Sequence, residues 1–300
     1  MGAPKRASIA CAEHVDTIRA EGLRMTADGG EFRVRPHATD DPEERGPVDI
    51  AFLRLKALST LKRERCSAIE RRRSPRRTVV LGGTSTGTEG RQRAAYRERR
   101  PRRGAVSMAI APEHAVGCVV YCSTEAAVAG VIRHVAGDAL TLGEPGTDND
   151  QRRAPFAEAL ADAGIGPRVV EDIRAQAWRK LMGNAVFNPL SVLTRATLAE
   201  IGRTSSTRSL AAALMEDILA VALALGRTPP ISIGGRVAGT ERVGDHRTPM
   251  LQDLQAGKKL ELDPLTSAVI ELARLAGVDV PRLQTLHAAT DLMARKHGAR

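Results

Sequence analysis

The pattern of apolar and polar positions changes near residue 170 of this 300-residue chain. Before that point, short apolar runs such as "VDIAFL" and "GCVVY" alternate with turn residues, which predicts strands joined by short helices. After it, apolar residues recur at three- and four-residue spacing, which predicts helices only. We therefore predict an α/β domain over residues 1–170 and an all-α domain over residues 171–300.

The first half contains the predicted strands and short helices. "AEHVDTIRAEGLRM" predicts a helix that ends at Gly22, and "GEFRVRPHATD" predicts one strand of alternating polarity. "GPVDIAFLRLKA" predicts a buried strand with Lys56 at its carboxyl end. "GCVVYCSTEAAVAGVIRHVAGDALTLG" predicts further strands with turns at Gly130 and at "AGD". "RAPFAEALADAGIGPRVVED" predicts a helix and a short strand that close the domain.

Five stretches of the second half have helical periodicity and are separated by Gly, Pro or polar capping residues. They are "DIRAQAWRKLMGNAVFNPLSVLTRATLAEIG", "SLAAALMEDILAVALALG", "HRTPMLQDLQAG", "DPLTSAVIELARLAGV" and "VPRLQTLHAATDLMARKHG". In the first of these helices, Pro189 removes a backbone donor, so a kink is expected at Asn188.

A polar stripe runs along the first of these helices. Lys180, Asn184 and Asn188 follow one another at four-residue intervals, so their side chains share one face of the helix. A solvated helix face is the ordinary interpretation of one polar stripe. Apolar residues occupy the rest of this helix, however, which favours a functional role for the stripe.

Positive charge is concentrated in one segment, residues 58–108. That segment holds fourteen Arg and one Lys against four Glu, a net charge of +11, whereas the whole chain carries +10. Apart from "TVVL" the segment has no periodicity, and such a composition predicts disorder or poor packing. "TVVLGGTSTGTEG" could be a strand with a phosphate-binding loop, but Gly82, Gly83 and Gly87 lack the following Lys-Ser/Thr. A solvated charge run is favoured over a nucleic-acid patch.

Composition narrows the classes of function further. Aromatic residues make up only 2% of the chain, so the core must consist mainly of Ala, Leu and Val, and base stacking is not expected. No apolar run is long enough for a membrane span or a secretory leader, so we expect a cytoplasmic protein. Four cysteines (Cys11, Cys66, Cys118 and Cys122) form no C-x-x-C pair, and no histidine set has ligand spacing, so we predict reduced thiols and no metal site.

Four stretches resemble the 2-dehydropantoate 2-reductase, or ketopantoate reductase, family: "VDIAFLRLKA", "GVIRHVAGDALTLGEP", "WRKLMGNAVFNPLSVLT" and "MLQDLQAGKKLELD". The last two are the most specific in residue identity and spacing. The resemblance implies a Rossmann-like NADP-binding domain followed by a helical domain for substrate binding and dimerisation. It further implies NADPH-dependent reduction of 2-dehydropantoate, a 2-oxo acid, to pantoate in pantothenate biosynthesis, and a homodimer through the helical domain.

The resemblance also implies roles for particular residues. Lys180 would be the general acid that protonates the substrate ketone, and Glu261 would bind the substrate hydroxyl and the cofactor ribose and help to position Lys180. Asn184 and Asn188 would bind substrate. Lys56 would approach the cofactor. A hydroxyl residue usually precedes the Met of "MLQD"; Pro249 stands there, and Thr248 before it is the candidate substrate-binding hydroxyl.

The chain departs from the family pattern in its first domain. The first strand and the G-x-G-x-x-G loop that would bind the pyrophosphate are expected to be missing, which makes the Rossmann-like domain incomplete. Cys11 or a neighbour stands where an arginine usually faces the 2′-phosphate, and the Q-N-G turn expected near residues 82–95 is absent. We therefore hypothesise that residues 58–108 are read out of frame, which the other two frames of the coding DNA would test.

Two alternatives stay open from the sequence. The chain could reduce a different 2-oxo acid with the same cofactor. It could also be a non-catalytic helical interaction module with a basic disordered arm, in which case it would bind DNA in a salt-sensitive manner and would not bind NADPH.

Overall fold

We analysed a computed structural model of the chain, which describes residues 7–9, 12–27, 29–41, 44, 50–53, 78–83, 115–144 and 153–300. Lys56, Cys11 and Cys66 lie outside the described residues. So does all of the Arg-rich segment 58–108 except residues 78–83.

The strands of the first domain form two sheets. They are β1 (Ala7–Ile9), β2 (Leu23–Ala27), β3 (Gly30–Val34), β4 (His37–Thr39), β5 (Ile50–Leu53), β6 (Thr78–Gly83), β7 (Ala115–Val128), β8 (Val131–Gly143) and β9 (Arg168–Val169). β1 and β4 pair in parallel as one sheet, and the other sheet has the order β3-β2-β8-β7-β6-β5, with β9 paired to β8. Helices α1 (Ala12–Glu21) and α2 (Arg153–Asp162) belong to the same domain.

The strand order resembles an interrupted doubly wound sheet. In the dinucleotide-binding fold the order is 3-2-1-4-5-6. The parallel pair β4-β1 corresponds to strands 3 and 2, and the parallel run β5-β6-β7 corresponds to strands 4, 5 and 6. Within the described residues, β1 and β5 each pair with a single strand, and no strand 1 joins them. That the first strand is missing stays a prediction.

The sequence predictions for this domain need two corrections. "GEFRVRPHATD" forms two strands, β3 and β4, in different sheets, because Pro36 lacks a backbone donor and cannot continue the ladder. "AGD" is not a turn: β8 runs through it, and the register with β7 shifts there. Gly137 has φ +71°, and a Cβ at this position would overlap the carbonyl group of Tyr121, so only glycine fits the bulge.

The second domain is helical throughout its described residues, 171–300, apart from the end of the chain and the connecting segments. Its helices are α3 (Ile173–Thr194), α4 (Leu198–Arg203), α5 (Ser205–Ala224), α6 (Ile233–Val243), α7 (Pro249–Gln255), a π-helical turn (Asp263–Ser267), α8 (Ala268–Ala276) and α9 (Pro281–Lys296). The predicted architecture, α/β followed by all-α, is confirmed.

Two helix predictions differ from the structure. The first predicted helix is interrupted at Arg195, which has φ 63°, and α4 begins after it with a capping box between Thr197 and Glu200. Helix α6 was not predicted at all. Its sequence, "IGGRVAGTERV", contains three glycines, each of which lowers helix propensity by about 1 kcal/mol, and tertiary packing overrides that cost.

Helix α3 joins the two halves of the molecule. Its first turn packs on the sheet, where Ile173 and Ala177 cluster with Val119. A Cβ at Gly117 or Gly143 would lie 2.8 Å from atoms of Ile173, so these two glycines let the helix approach the strands closely. Further along, Trp178, Leu181 and their neighbours form the core of the helical domain with α5, α7 and α9. Within the described part of the chain, no helix is both long and apolar enough to cross a membrane.

Candidate functional site

Lys180 lies where α3 passes the sheet. Its ammonium group donates a hydrogen bond to the carbonyl oxygen of Val120 and lies 5.5 Å from the ring centre of Tyr121. The parallel pairing of β7 with β6 ends at Val119, one residue before. Lys180 therefore sits at the carboxyl edge of the parallel strands, which is where doubly wound sheets bind their ligands.

The two asparagines follow Lys180 along α3. Asn184 is half-buried and Asn188 is 8% exposed, while the residues between them are buried. None of the three polar residues is exposed, so the stripe faces the interior of the protein instead of bulk solvent. Their roles in substrate binding stay predictions.

Thr248 lies in the interior, next to this stripe. It is 1% exposed, accepts a hydrogen bond from the backbone N–H of Leu251, and thereby caps the N-terminus of α7. Its hydroxyl also bonds to that of Ser191, which in turn donates to the carbonyl of Asn188 at 2.8 Å. Because Ser191 uses its proton on Asn188, Thr248 must donate to Ser191. The hydroxyl of Thr248 is thus engaged within the protein, and its predicted contact with substrate stays a prediction.

Glu261 lies in the segment between α7 and the π-helical turn. Its neighbours Leu260 and Leu262 are fully buried in the same core as Leu181, and the N–H of Leu260 bonds to the carbonyl of Ala299 at 2.8 Å. The carboxylate side chain itself is half-buried. The backbone on both sides of Glu261 is therefore fixed against the core that contains α3, and its predicted convergence with Lys180 stays a prediction.

Arg236 is a candidate site residue that the sequence interpretation missed. It lies on α6, its guanidinium group stacks 5.5 Å from the ring centre of Phe187, and it covers Gly183 of α3. Arg179 lies 5.6 Å from the ring centre of Tyr121. A mid-helix glycine beside Lys180 was the available signal, since such a glycine often marks a close approach. The residue that approaches this glycine, Arg236, was missed because the glycines of α6 argue against a helix there.

The charges around the stripe are positive. Burial lowers the pKa of Arg236, and the nearby Arg179 lowers it further, while Tyr121 acts in the opposite direction. Burial also raises the pKa of Tyr121. Among the described residues, no carboxylate forms an ion pair or a hydrogen bond with Arg179 or Arg236. An ammonium and two amides on one face of α3, with a guanidinium from α6 against that face, can bind a small anion and stabilise negative charge that develops on an oxygen.

The reactivity of Cys118 tests whether solvent is excluded from the part of the sheet near Lys180. Its thiol is 3% exposed, and burial raises its pKa to about 12, although the charge of Lys180 opposes the shift. Because only the thiolate is nucleophilic, we expect Cys118 in the native protein to resist iodoacetamide at pH 8 and to react after unfolding. Tandem mass spectrometry of the alkylated protein would check this. Native labelling of Cys118 at the rate of a free thiol would contradict it.

The family models and a curated relative agree on one family. A family model described as "Ketopantoate reductase PanE/ApbA" matches residues 8–146, and its C-terminal counterpart matches residues 172–294. The 2-dehydropantoate 2-reductase of Mesorhizobium japonicum is 36% identical over 97% of this chain and 90% of its own length.

Solved structures have the same fold. A candidate ketopantoate reductase from Ralstonia solanacearum superimposes with a TM-score of 0.86 at 28% identity, over 98% of this chain and 91% of its own. A D-mandelate dehydrogenase solved with NADH and anilino(oxo)acetate gives a TM-score of 0.82 at 18% identity, over 98% and 91% of the two chains. At that identity the second likeness concerns the fold alone.

Proposed function

Because the chain belongs to the ketopantoate reductase family, we propose that it reduces 2-dehydropantoate to pantoate, with NADPH as the reductant. The family consists of oxidoreductases with a dinucleotide-binding domain, and pantoate is a precursor of pantothenate and coenzyme A. The observation that carries the proposal is the position of Lys180, which reaches the carboxyl edge of the parallel strands from a helix that also bears Asn184 and Asn188.

The described residues fit one end of such a cofactor. The parallel runs β4-β1 and β5-β6-β7 have the order of a dinucleotide-binding sheet, and Lys180 lies at its carboxyl edge, where a nicotinamide would have to meet the substrate. The loop that would bind the pyrophosphate is not among the described residues. Lys56, the predicted cofactor contact, also lies outside them. We therefore assign only the substrate-facing side of the site.

The chemistry assigned to the protein is a proton transfer. When bound, the nicotinamide supplies a hydride to the ketone carbon. Negative charge then develops on the ketone oxygen, and the Lys180 ammonium stabilises it and donates the proton that completes the alcohol. The neutral amides of Asn184 and Asn188 can donate to the substrate and accept from its hydroxyl. Glu261 would bind that hydroxyl. Lys180 recovers its proton from water.

The test is a turnover assay on the purified full-length chain. We expect loss of NADPH absorbance in the presence of 2-dehydropantoate, and weaker activity with NADH. Benzoylformate and other 2-oxo acids serve as competing substrates. Preference for one of them would reassign the substrate within the same reaction class. If the protein does not bind NADPH and binds DNA in a salt-sensitive manner, it is a non-catalytic interaction module and not an enzyme. The homodimer and the cytoplasmic location stay predictions.

A further inference from the structure

We propose that Arg236 binds the carboxylate group of the 2-oxo acid, and that Gly183 is required for it to do so. The proposal deepens the function proposed above and depends on it.

The guanidinium group of Arg236 lies against the face of α3 that carries the predicted catalytic residues. Gly183 and Phe187 lie three and seven positions after Lys180, and Asn184 lies between them, so all four positions share one face of α3. The guanidinium group lies over Gly183, where a Cβ would overlap it, and stacks on the ring of Phe187. The helix backbone and the aromatic ring thus hold the guanidinium plane beside Lys180 and Asn184.

The charge of Arg236 has no counter-ion in the described part of the chain. The charge of Arg179, which acts on the guanidinium group, has the same sign, and burial removes part of the hydration of that group. A desolvated charge without a partner is costly, and a bound anion would offset that cost. Arginine suits a carboxylate in particular, because its planar fork can make two parallel hydrogen bonds.

The spacing fits a 2-oxo acid. Side chains three positions apart on a helix are neighbours, about 5–6 Å apart at their Cβ atoms. A group over position 183 and the ammonium of Lys180 can therefore contact adjacent parts of one small molecule. In a 2-oxo acid the carboxylate is bonded directly to the ketone carbon, so Arg236 would bind the carboxylate while Lys180 faces the ketone oxygen. This would also orient the ketone for reduction.

The experiment compares a charged with a neutral substrate. With Arg236→Gln we expect KM for 2-dehydropantoate to rise about 100-fold, the effect of losing a charge-assisted pair, with a much smaller change in kcat. Reduction of the neutral 2-dehydropantolactone should change less than about threefold by the same reasoning. The KM of Arg236→Lys for 2-dehydropantoate should lie between those of the wild type and Arg236→Gln. Lysine keeps the positive charge but lacks the planar guanidinium group that makes two parallel hydrogen bonds.

Gly183→Ala tests the same contact without removing the charge. The added methyl group must displace the guanidinium, so KM for the acid should rise and KM for the lactone should not. Gly234→Ala is the matched control, because a Cβ there meets nothing within 4 Å, and its kinetics should equal those of the wild type. Thermal unfolding of each variant separates binding from folding, and Gly183→Ala keeps the proposal testable if Arg236→Gln does not fold.

The outcomes distinguish this inference from the proposed function. Calorimetric titration with pantoate requires no turnover. If the wild type binds pantoate but does not reduce 2-dehydropantoate, and Arg236→Gln does not bind pantoate, only the proposed reaction is overturned. Equal binding of pantoate by the wild type and Arg236→Gln, no binding by either, or a rise in KM for NADPH instead of the acid would overturn the role of Arg236.

Discussion

We expect the replacement of Lys180 by methionine to lower kcat for 2-dehydropantoate by about 1,000-fold, because the proposed mechanism loses its proton donor and the charge next to the developing oxyanion together. Methionine keeps much of the volume and the apolar stem, so α3 should remain packed. The variant also loses the hydrogen bond to the carbonyl of Val120, which costs about 1 kcal/mol of unfolding free energy. Binding of NADPH, followed by fluorescence, should persist, so the loss should lie in kcat rather than in cofactor affinity.

The control for this experiment is Lys296→Met. Lys296 is exposed in the last turn of α9, and we expect its replacement to leave kcat and KM unchanged. A Lys180→Met protein that turns over within tenfold of the wild type would remove Lys180 from the chemistry. The proposed mechanism would then need another proton donor.

Replacing Asp217 by alanine destabilises the helical domain by about 3 kcal/mol, because a buried carboxylate that satisfies two groups is removed. Asp217 lies on α5 and is 6% exposed. It accepts a hydrogen bond from the backbone N–H of Leu283 and one from Arg282, each at 3.0 Å. Helix α9 has no N-terminal cap from its own side chains, so this carboxylate serves as the cap.

Urea denaturation followed by fluorescence would measure the change. Trp178 is the sole tryptophan and is fully buried in the helical core, so its emission reports unfolding of this domain. Glu216→Gln is the control: Glu216 contacts the same Arg282 at 3.3 Å but is exposed, so its loss should cost less than about 0.5 kcal/mol. Equal losses from the two variants would show that burial of Asp217 does not matter.

The sequence predicted best those features that depend on local periodicity. The polar stripe of Lys180, Asn184 and Asn188 was predicted correctly as one helix face, because helical spacing is a property of neighbouring residues. Helix α6 was missed because its stability comes from tertiary contacts that outweigh its glycines. Arg236 lies on this helix, so it was missed as well.

Features that depend on distant partners could not be predicted from local patterns. The cap on α9 comes from Asp217, 66 positions before Leu283, and no spacing rule joins them. The Arg-rich segment was predicted to be disordered or poorly packed, and for residues 78–83 that prediction was wrong. They form β6, an inner strand between β5 and β7, because the neighbouring strands supply pairing that local composition does not reveal. The out-of-frame hypothesis for the rest of residues 58–108, like the roles of Lys56 and Glu261, stays a prediction.

The close packing of α3 on Gly117 and Gly143 restricts which substitutions can change the substrate selectivity of this enzyme. Any side chain at either glycine would press on Ile173 and tilt the helix, and the tilt would move the ammonium group seven residues further on. A heritable change at these two positions would therefore act on every substrate alike. New selectivity has to arise in the side chains that surround the helix, on α6 for example, where one replacement can alter the surroundings of the polar stripe and leave Lys180 in place.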